Sequence, residues 1–339
     1  MSKACKVHAA GAVSLLVLLG GFFSLRAQTS QSNSNQDDVA DTLKVNVNVV
    51  QLFYNVKDKK GGLIPNLTKD DFQISEDGKP QTIKYFAAES NLPLTLGILI
   101  DTSPSQTRVL EMEKEVGGQF LDQILRDKDL AFVIGFDMDV DLLQDFTSST
   151  RLLKKAMNET HIGGGAGGGG GIPGLGGGTV PTMSHGCCTM LYDAVYLAAH
   201  DELSQQVGRK AMILLTDGED EGSKLKIQDA IEAAQKSDTI CYVLLIADRG
   251  GMWQGFGGGE MNKLTKETGG RVIEVGNRFE KLKEGFNQIA TELRSQYNIG
   301  YTPTNPKLDG TFRKVQIVAN NKDYKIQSRS GYYAVPKRD

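Results

Sequence analysis

The sequence predicts an α/β protein: a doubly wound, mostly parallel sheet inserted between N- and C-terminal β segments that form a small β domain. Three observations carry this. Short, nearly continuous apolar runs such as Leu94–Ile100, Leu130–Phe136 and Ala211–Leu215 have the character of strands buried on both faces. Segments of helical periodicity alternate with them, which is the pattern of a parallel sheet. Before Leu92 and after Tyr297 the pattern is different, with short alternating strands separated by Gly, Asn and Pro turns.

The chain has 339 residues, with hydrophobic residues at 40% and charged residues at 23%, so a packed core is expected. Residues 1–27 have the form of a signal peptide. Lys3 and Lys6 make a positive start, Ala12–Leu25 is an uncharged run, and Ala27 offers a cleavage point. The run is short beside the roughly 20 apolar residues of a membrane span. Cys5 precedes it and so is not a lipoprotein cysteine. Removing this segment takes away three of the 38 basic residues and none of the 41 acidic ones, for a mature net charge of −6. A mildly acidic chain without a basic cluster excludes nucleic acid as the expected partner. Nothing after residue 27 reads as transmembrane, so the expected location is outside the cytoplasm: periplasmic, cell-surface or secreted.

Residues 28–42 are polar and read as a disordered linker. Residues 43–90 form the N-terminal β segment. A strand is expected over Leu43–Val56, with shorter ones over Phe72–Glu76 and Thr82–Ala87 joined by a turn at Asp77–Pro80. Residues 91–297 form the α/β domain. Its expected helices are Val109–Leu125, Leu152–Met157, Thr189–Leu203, Leu225–Lys236, Met261–Thr268 and Phe279–Tyr297. Further strands are expected at Ile240–Ala247 and Arg271–Val275, and Val140–Asp145 is expected to pair as a hairpin with Leu130–Phe136. Residues 298–339 are the C-terminal β segment. Neither flank has enough strands to bury its own core, so the two are expected to pair with each other. Residues 163–178 form a glycine-rich tract expected to be a mobile loop. No Gly-Lys-Ser/Thr follows it, which excludes a phosphate-binding loop.

The chemistry concentrates at strand ends. Leu94–Ile100 runs into Asp101-Thr102-Ser103-Pro104-Ser105, a D-x-S-x-S. Ala211–Leu215 runs into Thr216-Asp217-Gly218. Thr189 opens Thr189-Met190-Leu191-Tyr192-Asp193-Ala194. Open α/β sheets bind ligands at the carboxyl ends of their strands. Two hydroxyls two residues apart can converge on one cation, and a carboxylate beside them supplies charge. An all-oxygen set suits a hard divalent cation, Mg²⁺ first, with Mn²⁺ or Ca²⁺ as alternatives.

These three motifs, in this order, resemble the metal-ion-dependent adhesion site of the von Willebrand factor type A (vWA) family. The resemblance implies metal ligation by Ser103, Ser105 and Thr189, with Asp101 and Asp217 acting directly or through water. Glu76-Asp77-Gly78-Lys79-Pro80-Gln81, Leu293–Tyr297, Tyr301-Thr302-Pro303, Leu308-Asp309-Gly310, Phe312-Arg313-Lys314 and Gly331-Tyr332-Tyr333 resemble exported vWA-related proteins common in Acidobacteria. The glycine tract departs from the pattern by lengthening the loop before Thr189. The resemblance implies a non-enzymatic module that captures an Asp or Glu of a protein partner through the cation. A metal-dependent hydrolase, or a structural envelope protein with a vestigial site, are the alternatives.

Other features read more plainly. Asp137-Met138-Asp139 mimics a phosphatase nucleophile motif but fits a hairpin turn. Asp137, Asp139 and Asp141 lack the Gly and Glu that an EF-hand needs, with Leu142 and Ser148 in their places. His161, His185 and His200 are scattered. Glu219-Asp220-Glu221 reads as a solvated loop, Cys241 as a core residue, Cys187–Cys188 as an unusual adjacent pair, and Trp253 as part of a second glycine-rich loop.

Overall fold

Eight consecutive buried residues, Leu94–Asp101, form the central strand of the molecule. In the computed structural model, residues 49–88, 92–163, 189–246 and 256–336 are described. The signal segment, the polar linker, residues 43–48 of the expected first strand, the glycine tract after Gly163, Cys187, Cys188, His185 and Trp253 lie outside them.

The elements run in the following order. Strands β1 (Val50–Lys57), β2 (Phe72–Glu76), β3 (Lys79–Gln81) and β4 (Ile83–Ala88) come first. The α/β part follows: β5 (Leu94–Asp101), α1 (Leu110–Ile124), β6 (Leu130–Phe136), β7 (Val140–Thr147), α2 (Thr150–Glu159), α3 (Leu191–Leu197), β8 (Arg209–Thr216), α4 (Ile227–Lys236), β9 (Thr239–Leu245), α5 (Phe256–Thr268), β10 (Val272–Glu274) and α6 (Phe279–Arg294). Strands β11 (Tyr297–Tyr301), β12 (Phe312–Ala319), β13 (Lys325–Ser328) and β14 (Gly331–Tyr333) close the chain.

The six-stranded sheet has the order β10-β9-β8-β5-β6-β7, parallel except for β7. This is the doubly wound arrangement expected from the alternation of strands and helices. The two-residue period of β5 serves both faces at once. Leu94, Leu96, Ile98 and Ile100 face the layer of α1, α2 and α6, where Phe120, Met157 and Phe286 are buried. Leu99 faces the layer of α3, α4 and α5 with Val195, Ile231 and Leu264. Gly97 also lies on that face, and a Cβ there would come within 2.6 Å of the Phe132 ring. Cys241 is buried in the same layer as a free thiol, in keeping with its reading as a core residue.

Strands from before and after the α/β part interleave in two antiparallel sheets, β13-β1-β11-β4 and β14-β12-β2-β3. β1 pairs with β11 and β13, and β2 pairs with β12. One apolar cluster joins the two sheets, with Leu52, Tyr54 and Ile299 from one and Phe72, Ile74 and Ile317 from the other. The rings of Tyr54 and Phe72 meet edge-on at 5.2 Å. The turn between β2 and β3 is only Asp77-Gly78, both at positive φ (47° and 77°), so Lys79–Gln81 is a strand rather than turn.

Helix ends depart from expectation at several places: α2 runs Thr150–Glu159 rather than Leu152–Met157, α4 starts at Ile227 rather than Leu225, and α5 starts at Phe256 rather than Met261. The last helix stops at Arg294 rather than Tyr297, because Tyr297 is drawn into β11 opposite Tyr54. The helix expected from Thr189 begins at Leu191, with Met190 as its N-cap, and continues from Ala198 as a π-turn. Where the β-sandwich meets the α/β part, Glu292 of α6 is buried. Its carboxylate accepts hydrogen bonds from Lys57 Nζ (2.8 Å), Arg271 Nε (2.7 Å) and Gln327 Nε2 (3.1 Å). Among the described residues no helix is long and apolar enough to cross a membrane.

Candidate metal centre

The chain leaves β5 toward β6 on one side of the sheet and returns to β8 on the other. The carboxyl ends of β5 and β8 therefore flank a topological switch point, where neighbouring loops part and leave a crevice. Asp101 ends β5, and Thr216-Asp217 ends β8 and starts its following loop.

Asp101 is fully buried (0% exposed). Its Oδ1 accepts from the Ser103 backbone N–H (2.9 Å) and its Oδ2 from the Thr216 hydroxyl (2.7 Å). The Ser103 and Ser105 hydroxyl oxygens lie 2.9 Å apart, so the D-x-S-x-S turn converges its two hydroxyls beside the carboxylate. A 3₁₀ turn, Pro104–Arg108, follows with Pro104 at its start and leads into α1. Burial, then the charge of Asp217, raises the Asp101 carboxyl from its ordinary 3.8 to about 7, against the hydrogen bonds from Ser103 and Thr216. Asp217 is half-buried, and its Oδ1 accepts from Glu219 N (3.1 Å).

Thr189 is buried, two residues before α3. Its carbonyl accepts from the backbone N–H groups of Glu221 (3.1 Å) and Gly222 (3.3 Å), in the loop that follows Asp217. The next residue, Met190, donates to the Asp137 carbonyl (2.8 Å) at the end of β6. The loops after β5, β6 and β8 and the lead-in to α3 thus share one edge of the sheet. Asp101, Ser103 and Ser105 are linked there by hydrogen bonds, Asp217 acts on Asp101 through like-charge repulsion, and Thr189 is tied to the loop after Asp217 through its backbone.

Other motif residues have structural duties. The Asp193 carboxylate accepts from Lys224 N and Leu225 N (both 3.0 Å) and so shapes the approach to α4. Asp220 accepts from Tyr192 N (3.1 Å) at the start of α3, a more specific duty than that of a solvated loop. Asp137 shapes the β6–β7 hairpin turn, with its Oδ1 accepting from Asp139 N (3.2 Å). His200 pairs with its neighbour Asp201 at the surface.

Two residues at this edge were not singled out from the sequence. Glu113, in the first turn of α1, is 0% exposed, and neither carboxylate oxygen has a hydrogen-bond partner among the described residues. Its carboxyl is pushed well above the usual range by burial and then by the negative charges of Asp101 and Asp217. Gln106 is 1% exposed. Its Nε2 donates to the Ser105 hydroxyl (3.3 Å), and its Oε1 has no partner among the described residues. A signal for Glu113 existed: it occupies a place in the stripe Leu110, Glu113, Val116/Gly117, Phe120/Leu121 and Ile124, where an apolar residue belongs.

The donor set fits a divalent cation. Every candidate atom is oxygen, the Asp101 and Asp217 carboxylates repel one another, and buried acceptors lack donors among the described residues. Among the described residues no group of three or more His, Cys, Asp or Glu side chains is placed to hold a metal, so hydroxyl oxygens would have to complete the shell.

No protein-family profile matches the chain, and no curated protein matches it. Several solved structures are similar to it in chain path. A conserved hypothetical protein BatB from Bacteroides thetaiotaomicron has 20% identity and a TM-score of 0.43, over 60% of this chain and 100% of that one. A von Willebrand factor type A protein from Catenulispora acidiphila has 15% identity and a TM-score of 0.47, over 79% of this chain and 74% of that one. The proximal thread matrix protein 1 of the mussel byssus, with a zinc-occupied MIDAS motif, has 14% identity and a TM-score of 0.47, over 65% of this chain and 50% of that one.

Proposed function

We propose that this chain is a metal-dependent protein-binding module of adhesion type, exported from the cytoplasm and without catalytic turnover of its own. Asp101, Ser103, Ser105, Thr189 and Asp217 would hold a divalent cation, Mg²⁺ by preference. An Asp or Glu side chain of a protein partner would complete its shell. The bound cation supplies one thing, an electrophilic anchor for an anionic oxygen.

The observation that carries the reading is the pairing of the Ser103 and Ser105 hydroxyls at 2.9 Å beside the buried Asp101 carboxylate. The protein's residues do the rest. Ser103 N–H and the Thr216 hydroxyl hold Asp101 in one orientation, at a switch point of the kind where open α/β sheets bind ligands. A carboxylate from a partner is repelled by Asp101 and Asp217 alone and is accepted only once their charge is neutralised. Binding is therefore conditional on the metal.

The test is calorimetric titration of the mature chain with Mg²⁺ and Mn²⁺, followed by titration of the loaded protein with short Asp- and Glu-containing peptides. Metal binding that Asp101→Asn removes, and peptide binding that chelator removes, are expected. Metal binding unaltered by Asp101→Asn overturns the reading. Turnover of phosphoester or peptide substrates by the loaded protein would favour a hydrolase instead.

A further inference from the structure

We infer that Glu113 is a third acidic group of the metal centre: a buried positioning residue on α1 that supplies negative charge behind the cation and anchors its outer hydration. This rests on the metal-centre reading above and extends it beyond the strand-end motifs.

Glu113 is 0% exposed and has no hydrogen-bond partner among the described residues for either carboxylate oxygen. A buried carboxyl without partners is strongly unfavourable, and such groups are rarely retained without a compensating charge or donor. The neighbouring cation does not compensate it. Lys114, the next residue, is paired with Glu111 at 2.7 Å. The charges that Glu113 feels are those of Asp101 and Asp217, both of its own sign. Gln106 Oε1 is a second buried acceptor with no partner among the described residues, and its own amide donates to Ser105.

These are the features of one place. The D-x-S-x-S turn, the 3₁₀ turn and the first turn of α1 follow one another along the chain, and each carries a buried oxygen-bearing side chain: Asp101 and Ser103, then Gln106, then Glu113. An all-acceptor region is satisfied by a cation and the water it orders, because the water donates hydrogen bonds outward. A core Glu serving only to pack would be poorer than Leu or Met at the same place in the stripe.

The charge makes a second consequence. With Asp101 and Asp217 in the shell and Glu113 behind it, Glu113 adds attraction from outside the ligand set, and Coulomb attraction scales with the ion's charge. A trivalent ion therefore loses more than a divalent one when Glu113 is neutralised. Damage to packing alone would weaken both ions alike.

The test uses the mature chain and the metals alone: Mn²⁺ and Tb³⁺ titrated into the wild type, Glu113→Gln, Glu113→Asp and Asp101→Asn. Melting of each in chelator serves as the check on folding. Glu113→Gln keeps shape and removes charge. It is expected to raise the Mn²⁺ dissociation constant about tenfold and the Tb³⁺ constant by more, within the 10–100-fold range of outer-shell partners. In chelator it is expected to melt higher than the wild type, while Glu113→Asp keeps part of the Tb³⁺ preference. Wild-type affinities for both ions in Glu113→Gln, with Asp101→Asn still abolishing binding, overturn the role of Glu113 alone. Equal weakening of both ions in Glu113→Gln also overturns it, since packing would then explain the loss. A wild type that binds neither ion overturns the metal centre itself and the inference with it.

Discussion

The Thr216 hydroxyl donates a 2.7 Å hydrogen bond to Asp101 Oδ2 and in the same turn accepts one from Gly218 N at 3.0 Å. One hydroxyl thus ties the carboxyl end of β8 to that of β5 and shapes the loop that carries Asp217. Replacing Thr216 by Val preserves volume and removes both bonds. Stability is expected to fall by about 1–3 kcal/mol, the cost of stranding buried polar partners. Metal affinity is expected to fall at least tenfold, because Asp101 loses the bond that orients it. Denaturant unfolding and calorimetric titration of Thr216→Val check the two effects separately.

Asp101→Asn is the informative change at the centre. Asp101→Ala removes charge but also strands Ser103 N and the Thr216 hydroxyl, whereas Asn keeps the shape. The wild type is expected to gain about 2.7 kcal/mol from Mg²⁺ at a hundred times its dissociation constant, and Asp101→Asn almost nothing. Thermal melts of both proteins, with Mg²⁺ and with chelator, measure this. Equal shifts in the two would locate the ion elsewhere.

The metal-free protein is expected to lose stability as pH rises toward neutrality. Asp101 has a folded-state pKa raised from 3.8 to about 7, and that of Glu113 is raised as well. Groups raised in the fold bind protons more tightly there than in the unfolded chain. For Asp101 that stabilising contribution is complete below about pH 4 and disappears as pH passes through about 7. For Asp101 this is up to about 4 kcal/mol. Urea midpoints in chelator at pH 4.5, 6 and 7.5 should fall along the series in the wild type and much less in Asp101→Asn. A flat wild-type series would show that the carboxyl is not held protonated.

The junction between the β-sandwich and the α/β part is expected to depend on Glu292. Glu292→Gln leaves Lys57 and Arg271 facing each other without their shared carboxylate. A loss of about 3 kcal/mol is expected, at the low end for a broken buried pair because both cations keep some water. Metal affinity should be unchanged, since Glu292 lies on α6 at the sandwich junction, outside the metal centre. Unfolding and Mn²⁺ titration of the same variant test the two halves of that statement.

Most of the architecture was legible in the sequence because it rests on period and punctuation. The two-sided burial of β5 is written in Leu94–Ile100, the hairpin turn in Asp77-Gly78, and the helical stripe of α6 in Leu282, Phe286, Ile289 and Leu293. D-x-S-x-S and Thr-Asp-Gly were visible because their spacing along the chain is local. Three things were decided by tertiary structure. Tyr297 is strand rather than helix because Tyr54, more than 200 positions earlier, offers it a backbone ladder that a helix end does not have. Asp193 and Asp220 turned out to hold loops, because their partners lie 32 and 28 positions away along the chain. Glu113 is the sharpest case. Its identity is in the sequence, but its meaning comes from burial beside Asp101 and Asp217, which only the packing of α1 over the sheet edge brings about. Local pattern determines which face an element buries. Which charges are left facing one another inside is a property of the assembled layers alone.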